Sequence, residues 1–231
     1  MSLTRLDWDS DFFDLNIGLA SIKVFSMEID SILSEIYQSD FDLTYLFSKS
    51  YSNKKPGGLT LRDTKLLYRK PIKSLKNINN NVVSYNGELN EELIHLALES
   101  GVYSRYKLDP HLNLYFNKLY IKWLENSLNR SFADEVFIAK NKLGIQGLIT
   151  LKKENYDSAK IGLISVKSDS RGLGIGRELI NAAENWTGFN KLKYLKVATQ
   201  ELNLNASSFY ENMEFNLIDT DYIFHIWKKN S

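Results

Sequence analysis

The sequence predicts an α/β (α+β) fold, because stretches with strand periodicity and stretches with helical periodicity alternate along most of its 231 residues. The clearest case is the β-branched run 161–166, which a glycine-rich loop joins to a helical pattern over 177–186. A further strand is predicted at 192–199, followed by a helix. With 43% hydrophobic residues, the chain can bury a sizeable core.

Charge and residue usage argue against several classes of function. The formal net charge is +1, from 29 basic and 28 acidic residues, which argues against a nucleic-acid partner bound by bulk electrostatics. The sequence has no cysteine, which excludes disulfides and thiol nucleophiles. The three histidines, His95, His111 and His225, are far apart, so we expect no metal. Because there is no signal peptide and no apolar run near ~20 residues, we expect a soluble cytoplasmic protein without a membrane partner.

The first 80 residues are predicted to form a small α/β lobe. Aromatic residues cluster at 6–13, and Ser26 is placed to cap a helix whose apolar positions recur at three- and four-residue spacing through Ile36. The other predicted elements are a strand at 17–25, a strand at 43–48, a turn at 54–58 and a long strand or hairpin at 59–69.

An internal repeat links this lobe to the C-terminus. Residues 58–68 align with residues 214–224, and both segments contain Leu-x-Asp-Thr followed by an apolar strand. The N-terminal segment has no counterpart of the glycine loop, so we predict a partial copy without its own cofactor site. The polar, aperiodic residues 77–81 form the predicted linker, which divides the chain into a lobe at 1–80 and a domain at 81–231.

The predicted C-terminal domain begins with two helices and ends with a pair of strands. Its elements, in chain order before that pair, are helices at 91–100 and 112–126, strands at 135–140, 145–151 and 161–166, a helix at 177–186, a strand at 192–199 and a helix from residue 203. A turn at 141–144 makes the first two strands a hairpin.

The glycine loop carries the strongest functional signal. Arg171, Gly174 and Gly176 form Arg-x-x-Gly-x-Gly, and Gly172 adds a third glycine. Glycines allow backbone angles that other residues resist, and they let an anion approach the N–H groups at a helix N-terminus. No Gly-Lys-Ser/Thr follows, so the loop is not a P-loop, and its glycine spacing does not fit the dinucleotide fingerprint. The loop therefore predicts a pyrophosphate site, with an ordinary turn before a helix as the alternative.

A second motif follows the loop. It is Asn203-x-x-Ala206-x-x-Phe209-Tyr210-x-x-x-x-Phe215. Together, the two motifs resemble the GNAT superfamily of N-acyltransferases. The resemblance implies the GNAT fold, a mixed, mostly antiparallel sheet flanked by helices and split between strands 161–166 and 192–199 to admit the pantetheine of acetyl-CoA. The family has glycine where this sequence has Glu214, so either Glu214 accepts a positive φ or the helix ends differently.

Five flanking segments narrow the resemblance. They are Trp8 with Phe12-Phe13, Ser104-Arg105-Tyr106 with Asp109, Tyr120-x-x-Trp123-x-x-Asn126-Ser127, Phe132-Ala133-Asp134 and Val197-Ala198-Thr199-Gln200. In this order they are similar to the dTDP-fucosamine acetyltransferases. That similarity implies N-acetylation of a dTDP-linked 4-amino-4,6-dideoxyhexose for polysaccharide biosynthesis, by direct attack in a ternary complex with acetyl-CoA as cosubstrate and no metal. The sequence leaves a homodimer open.

The resemblance also assigns roles to individual residues. It implies that Tyr210 is the general acid that protonates the departing thiolate, with core packing of its ring as the alternative. The implied acetyl-CoA contacts are the backbone of Ile164, Ser165 and Val166, the loop residues Arg171, Gly172, Gly174, Gly176 and Arg177, and the side chains of Asn203 and Asn205. Helix capping is the alternative for the two asparagines, and a solvated surface position is the alternative for Arg177.

The sequence defines the acceptor side less sharply. Arg105 is predicted to bind the diphosphate of a nucleotide sugar, since a guanidinium matches phosphate geometry. Asp109, Asp134 and Glu154 are candidate acceptor-side or general-base residues that could equally be structural, and His111 is expected at the surface. The alternative functions are a GNAT enzyme acting on another amine, such as a different amino sugar or a peptide N-terminus, and a non-catalytic CoA-binding sensor.

Overall fold

Ten strands form one sheet in the part of the chain that the computed structural model describes. The described residues are 3–52, 59–74, 77 and 81–228. The turn predicted at 54–58 lies outside them, and so does most of the linker predicted at 77–81.

The described residues up to 74 form the first elements of the fold. They are β1 Thr4–Arg5, α1 Asp7–Phe13, β2 Ile17–Ile22, α2 Phe25–Gln38, β3 Leu43–Ser48 and β4 Thr60–Pro71. The strand predicted at 43–48 is confirmed, and the segment at 59–69 belongs to one long strand rather than a hairpin. The prediction that Ser26 caps α2 is wrong. The helix begins at Phe25, and Glu28 Oε1 accepts hydrogen bonds from the N–H groups of Lys23 (3.1 Å) and Val24 (2.7 Å).

From residue 82 the elements follow the predicted order up to the last strand. They are β5 Val82–Ser84, α3 Glu91–Ser100, α4 Arg105–Leu108, α5 Phe116–Leu128, β6 Glu135–Asn141, β7 Gly144–Lys153, β8 Ser158–Val166, α6 Ile175–Phe189, β9 Tyr194–Gln200, α7 Leu204–Asn212 and β10 Asn216–Trp227. The short elements β5 and α4 have no counterpart in the predictions. The predicted closing pair of strands is wrong, because the described chain ends on the single strand β10.

The strand order is β1-β2-β3-β10-β4-β9-β8-β7-β6-β5. Among the described strands, only β2–β3 and β8–β9 pair in parallel, so the predicted mixed, mostly antiparallel sheet is confirmed. Strand β10 lies between β3 and β4, both from the N-terminal part, whereas β4 lies between β10 and β9, both from the C-terminal part. The last strand of each part therefore lies between two strands of the other part. Strand β4 occupies the position next to β10 that the second strand of the predicted closing pair would have occupied.

The two repeated segments meet at the centre of the sheet. Asp63 of β4 lies opposite Ile223 of β10, and Asp219 of β10 lies opposite Leu67 of β4. The sequence alignment that relates Asp63 to Asp219 also relates Leu67 to Ile223, so the two pairs are equivalent under a local twofold rotation. The N-terminal lobe is thus a partial copy joined to the rest by strand exchange. A domain boundary at residue 80 stays a prediction, since the sheet continues across it.

Three apolar clusters cover the two faces of the sheet. Adjacent residues of β7, Leu148 and Ile149, enter different clusters because successive strand side chains point to opposite faces. Helices α2 and α6 bury Ile32 and Ile180 against one face, whereas α3 buries Leu96 against the other. Both α3 and α6 contact β8, so this strand, which lines the candidate site, is held from both sides.

Candidate active site

The sheet splits between its two central parallel strands. Strands β8 and β9 pair from Ser158 opposite Tyr194 to Ile161 opposite Val197. Beyond that point, β8 pairs with β7 alone and β9 pairs with β4 alone. Ile164, Ser165 and Val166 therefore keep one strand edge facing the gap, where their backbone groups are available to a ligand. The split that the family resemblance implied is confirmed.

A bulge bends β8 away from β9. The pairing with β7 shifts between Ile149 and Leu151, so Gly162 and Leu163 together face Thr150. The Thr150 hydroxyl accepts a hydrogen bond from the Leu163 N–H at 2.9 Å. A Cβ on Gly162 would lie 2.8 Å from Thr150 Oγ1, so only glycine fits this position without a shift. Neither Gly162 nor Thr150 was predicted as a site residue, and the only signal for them in the sequence is a glycine inside a predicted strand.

The glycine loop leads from β8 into α6. Gly172 has φ +77° and Gly174, the residue that precedes α6, has φ +84°, so both adopt backbone angles that favour glycine. A Cβ at either position would meet nothing within 4 Å, which means that the space in front of the loop is open. No side chain caps the start of α6, so its first N–H groups are available to an anion.

The other loop residues are placed differently from one another. Arg171 lies across the loop, with Nη2 3.1 Å from Glu99 Oε2 and Nε donating to the Val166 carbonyl at 3.1 Å. Arg177 is exposed in the first turn of α6. A Cβ on Gly176 would lie 3.2 Å from the Phe209 ring, so this glycine allows α6 and α7 to approach closely. A cavity of about 200 Å³ between the start of α6 and β5 is lined by Gly174 and Arg177 among others.

Helix α7 carries the second sequence motif. Asn203 caps the helix, because its Oδ1 accepts a hydrogen bond from the Ala206 N–H at 3.2 Å, and Asn205 is exposed. The Tyr210 ring lies 5.9 Å from the ring of Tyr68, which is opposite Val197, where the gap begins. Tyr210 is 4% exposed, and this burial raises the pKa of its phenol. It therefore stays protonated at neutral pH while packed near the vertex of the gap.

A charged cluster lies on the opposite face of β4 from Tyr68. It consists of the charged side chains Asp9, Asp63, Lys65 and Arg105 together with the ring of Phe47, and all five residues are partly exposed. The centroid of the Phe47 ring lies 6.0 Å from Lys65 Nζ and 5.9 Å from Arg105 Cζ. Lys65 is opposite Gln200, the last residue of β9, at the open end of the gap. Tyr210 and the charged cluster thus flank the gap from opposite faces.

Asp63 is the acidic residue of this cluster whose titration is most perturbed. Burial raises the pKa of its carboxyl to about 7, although the charges of Arg105 and Lys65 act in the opposite direction. Asp63 was not among the site residues predicted from the sequence. The available signal was an aspartate within an apolar strand, repeated in the Leu-x-Asp-Thr segments.

Arg105 and Asp109 belong to a network behind the cluster. The Arg105 guanidinium lies 3.8 Å above the Tyr45 ring, and its Nη2 donates to the Tyr106 hydroxyl at 2.6 Å. Its Nη1 lies 3.0 Å from His225 Nε2, and His225 Nδ1 lies 2.6 Å from Asp109 Oδ2. Asp109 is fully buried, so the structure does not bring it to the gap with Arg105.

The remaining candidates for the acceptor side lie elsewhere. Asp134 accepts a hydrogen bond from the Lys153 N–H at 2.6 Å, and Lys153 is opposite Ala159 near the start of β8, far along the strand from the open end of the gap. Glu154 pairs with Lys196 at 2.8 Å. The His111 ring packs 4.7 Å from that of Trp227. The structure does not bring Asp134, Glu154 or His111 together with Arg105 at the gap.

Comparisons with known proteins agree with this geometry. Residues 133–217 match the sequence model of a family described as an acetyltransferase (GNAT) domain. The chain is 30% identical over 131 residues to a dTDP-fucosamine acetyltransferase of Escherichia coli O6:H1, and 30% identical over 138 residues to a spore coat polysaccharide biosynthesis protein of Bacillus subtilis. These matches cover 56% and 59% of this chain. The chain spans about half the length of these curated relatives, 56% and 47% respectively.

Solved structures resemble most of the chain. A protein of unknown function from Staphylococcus epidermidis superposes with a TM-score of 0.57 at 12% identity, covering 93% of this chain and 85% of its own. A tandem GNAT protein from the clavulanic acid biosynthesis pathway gives 0.56 at 12% identity, covering 87% and 68%. A GNAT-family acetyltransferase from Colwellia psychrerythraea gives 0.52 at 14% identity, covering 89% and 74%. These likenesses show the fold.

Two properties of the described residues concern membranes and metals. No helix among these residues is both long and apolar enough to cross a membrane. The same residues contain no group of three or more metal-ligating histidine, cysteine, aspartate or glutamate side chains.

Proposed function

We propose, from the premise that residues 133–217 form an acetyltransferase (GNAT) domain, that this protein is an N-acetyltransferase that uses acetyl-CoA. The observation that carries the proposal is the junction of β8 and α6. There, an unpaired strand edge leads directly into a loop whose glycines have positive φ at an uncapped helix start. This arrangement offers backbone donors to both the pantetheine and the pyrophosphate of one ligand.

The chain's own residues would hold acetyl-CoA in three places. The edge of Ile164 to Val166 would bond the pantetheine amides, and the N–H groups after Gly172 and Gly174 would bond the pyrophosphate. Arg171 would add charge by turning from Glu99, because its side chain is 59% exposed and the existing pair is therefore weak. Arg177 and Asn205 are exposed nearby and would contribute at the surface.

The chemistry is direct transfer. The neutral acceptor amine attacks the thioester carbonyl, a C–N bond forms, the C–S bond breaks, and the thiolate takes a proton from Tyr210. The nitrogen loses the proton that restores Tyr210, so the products are the acetamide and free CoA thiol. A sequence without cysteine agrees with attack by the acceptor itself rather than through a thiol acyl-enzyme.

An ammonium acceptor must first lose a proton, and Asp63 is the base that the geometry favours. Its side chain lies in the charged cluster at the open end of the gap, across the sheet from Tyr210. A carboxyl group with a pKa of about 7 is half ionised at neutral pH and can both accept and release a proton there. Asp109, enclosed behind Arg105, is a less suitable base.

The acceptor that we propose is a nucleotide-linked amino sugar, with dTDP-4-amino-4,6-dideoxyhexose as the first choice. Support comes from the name of the Escherichia coli relative and from the two cations of the charged cluster, Arg105 and Lys65, which suit a diphosphate. A reaction between acetyl-CoA and a nucleotide sugar is expected in the cytoplasm, where both are made.

Purified protein incubated with acetyl-CoA and a panel of dTDP-amino sugars, other amino sugars and a peptide N-terminus tests this function. Free thiol release and product mass identify the acceptor. Tyr210→Phe should lose about 100-fold or more in kcat and keep CoA affinity, while Tyr156→Phe, at a residue 90% exposed, is the matched control. CoA binding without acetylation of any amine would contradict catalysis and support a sensor.

The pH profile tests the role of Asp63. Wild-type kcat/KM for the acceptor should fall below about pH 7, as Asp63 becomes protonated. Asp63→Asn should lower the rate about 100-fold and remove this acidic limb. The control Asp134→Asn should keep it, because Asp134 lies by Lys153 at the closed end of the gap. Loss of the limb in the control alone would contradict the assignment.

Stability provides an independent readout of the same carboxyl. The folded state holds the Asp63 proton up to about pH 7, whereas an ordinary aspartate releases it near 3.8, so this carboxyl lowers wild-type stability as pH rises through that window. Asp63→Asn should therefore raise Tm relative to wild type more at pH 8 than at pH 5. An equal shift at both values would argue against the raised pKa.

A further inference from the structure

A histidine lies between a buried carboxylate and the arginine of the charged cluster. His225 Nδ1 is 2.6 Å from Asp109 Oδ2, and His225 Nε2 is 3.0 Å from Arg105 Nη1. A guanidinium can only donate hydrogen bonds, so Nε2 must be an acceptor and the ring proton must reside on Nδ1. The geometry therefore fixes both the tautomer and the neutral charge of His225.

The surroundings of the pair agree with a neutral histidine and an ionised aspartate. Burial and the Arg105 charge lower the pKa of His225, against the effect of Asp109. Burial would raise the pKa of Asp109, but hydrogen bonds from His225 and from the N–H of His111 outweigh it and lower that pKa. The Trp227 Nε1 also donates to Oδ2 at 3.3 Å, and so Asp109 meets donors on both oxygens.

We propose that Asp109 and His225 are a positioning pair that fixes the Arg105 guanidinium at the acceptor side of the gap. The proposal rests on the proposed function, which puts the acceptor at the charged cluster. Asp109 orients the imidazole, and the imidazole presents Nε2 to Nη1. Neither residue contacts the acceptor, because Asp109 and His225 are both buried while Arg105 is partly exposed.

The remaining contacts of Arg105 explain why it needs such support. Its Cζ lies 3.8 Å from the centroid of the Tyr45 ring and 4.4 Å from that of the Tyr106 ring, and these cation–π contacts hold the guanidinium beside the two rings without fixing its rotation in its own plane. Hydrogen bonds to the Tyr106 hydroxyl and to His225 fix that rotation. Two of five N–H donors are then used, which leaves three beyond these bonds for a phosphate or carboxylate.

Kinetics of four variants separate positioning from simple stability. His225→Phe should raise the KM for the acceptor about tenfold and leave the KM for acetyl-CoA unchanged, since a hydrogen bond to a charged group is lost. Arg105→Ala should raise the acceptor KM at least as much. The double variant should be no worse than Arg105→Ala, because His225 acts through Arg105. His225→Gln, whose amide oxygen can accept from Arg105, should restore part of the loss.

The proposal would be overturned if the increases in acceptor KM of the two single variants multiplied in the double variant, or if His225→Phe left the acceptor KM unchanged. The exposed His95 provides the control His95→Gln, which should change neither KM. If no nucleotide sugar is acetylated, the same measurements apply to whichever amine is, and the failure counts against the proposed acceptor alone.

Nitrogen NMR of the whole protein decides the positioning claim without any substrate. The resonance that disappears in His225→Phe should belong to an imidazole with a protonated Nδ1 and a bare Nε2 at neutral pH. A slowly exchanging Arg105 side-chain N–H should disappear in the same variant. A His225 protonated at Nε2, or an Arg105 signal unchanged in His225→Phe, would overturn the proposal whether or not the enzyme is active.

Discussion

The two halves of the sheet share one connectivity and differ in whether they open. In the N-terminal half, β2 and β3 stay paired from Ile17 opposite Leu43 to Ile22 opposite Ser48, over the full length of both strands. In the C-terminal half, β8 and β9 separate after Ile161, where β8 bulges at Gly162. The parallel pair with a bulge in one strand therefore opens into a gap, and the parallel pair without a bulge stays closed.

The start of the crossover helix differs in the same way. In the N-terminal half, the Glu28 carboxylate accepts from the N–H groups of Lys23 and Val24, just before α2. In the C-terminal half, Gly174 precedes α6 with positive φ and no side-chain cap. An internal carboxylate occupies one helix start, and the other is left for an external anion. The proposed acetyl-CoA site thus depends on the N–H groups that the start of α6 leaves without a side-chain acceptor.

The largest expected effect comes from separating the halves. A fragment of residues 81–231 loses β3 and β4, which are both neighbours of β10, and we expect it to show no cooperative unfolding transition. Circular dichroism during thermal unfolding measures this. The fragment 1–80, expressed with it, should restore a soluble, cooperative complex through strand pairing. A stable fragment 81–231 that binds CoA by itself would mean that the exchange is dispensable.

The next effect concerns the open helix start. Gly174→Ala should weaken acetyl-CoA binding about tenfold, because a non-glycine residue at φ +84° costs about 1–2 kcal/mol and turns the N–H groups away. Titration calorimetry measures the change. Glu28→Ala, at the equivalent helix start in the N-terminal half, is the matched control and should leave CoA affinity unchanged. Equal losses in both variants would show a general effect of stability.

A third prediction tests whether the bulge in β8 requires glycine at position 162. Gly162→Ala places a Cβ 2.8 Å from Thr150 Oγ1, and we expect a loss of about 1–3 kcal/mol in the free energy of unfolding. Denaturant unfolding measures it. The double variant Gly162→Ala with Thr150→Ala removes the clashing oxygen, so it should recover stability relative to Gly162→Ala. Failure to recover would assign the strain to the backbone rather than to the hydroxyl.

The smallest effect lies where α7 meets β10. Glu214 has φ +65°. Of the two alternatives that the sequence left open for this position, the residue therefore adopts the left-handed conformation. The aligned position in the N-terminal half is Gly58, which lies outside the described residues. Glu214→Gly should raise the free energy of unfolding by about 0.5–1 kcal/mol. Removing the side chain itself costs little, since it is 76% exposed and its carboxylate lies 3.8 Å from Lys70 Nζ. A lower Tm would contradict this account, and Glu214→Ala should show no gain.

Local patterns predicted most elements of the C-terminal half, because strand and helix periodicities and glycine turns are properties of short segments. Which strand pairs with which is not a property of a short segment. The sequence predicted a closing pair of strands, whereas the position next to β10 is filled by β4, a strand from far earlier in the chain. The cap of α2 was also mispredicted, because the helix begins at Phe25, one residue before Ser26, and the Glu28 N–H already donates to the Val24 carbonyl.

The candidate site likewise contains residues that lie in short sequence motifs and residues that only folding brings together. Sequence motifs predicted the loop around Gly174 and the helix with Tyr210, because each motif lies within one short contiguous segment. The charged cluster could not be found in this way, since Asp63 and Arg105 come from different halves. His225 and Asp109 are 116 residues apart, and their hydrogen bond exists only after folding. The pKa of Asp63 depends on burial, which no local pattern supplies.

Strand β4 presents Tyr68 to Tyr210 on one face and Asp63 and Lys65 to the open end of the gap on the other. During synthesis, this strand leaves the ribosome well before either of its neighbours, β9 and β10, has been made. The nascent N-terminal half must therefore remain without β10, the strand that lies between β3 and β4, until almost the entire polypeptide has emerged. Folding of the central sheet then becomes a late, long-range event, which is intrinsically slow. A chain that terminates prematurely would lack both the completed sheet and the assembled candidate site.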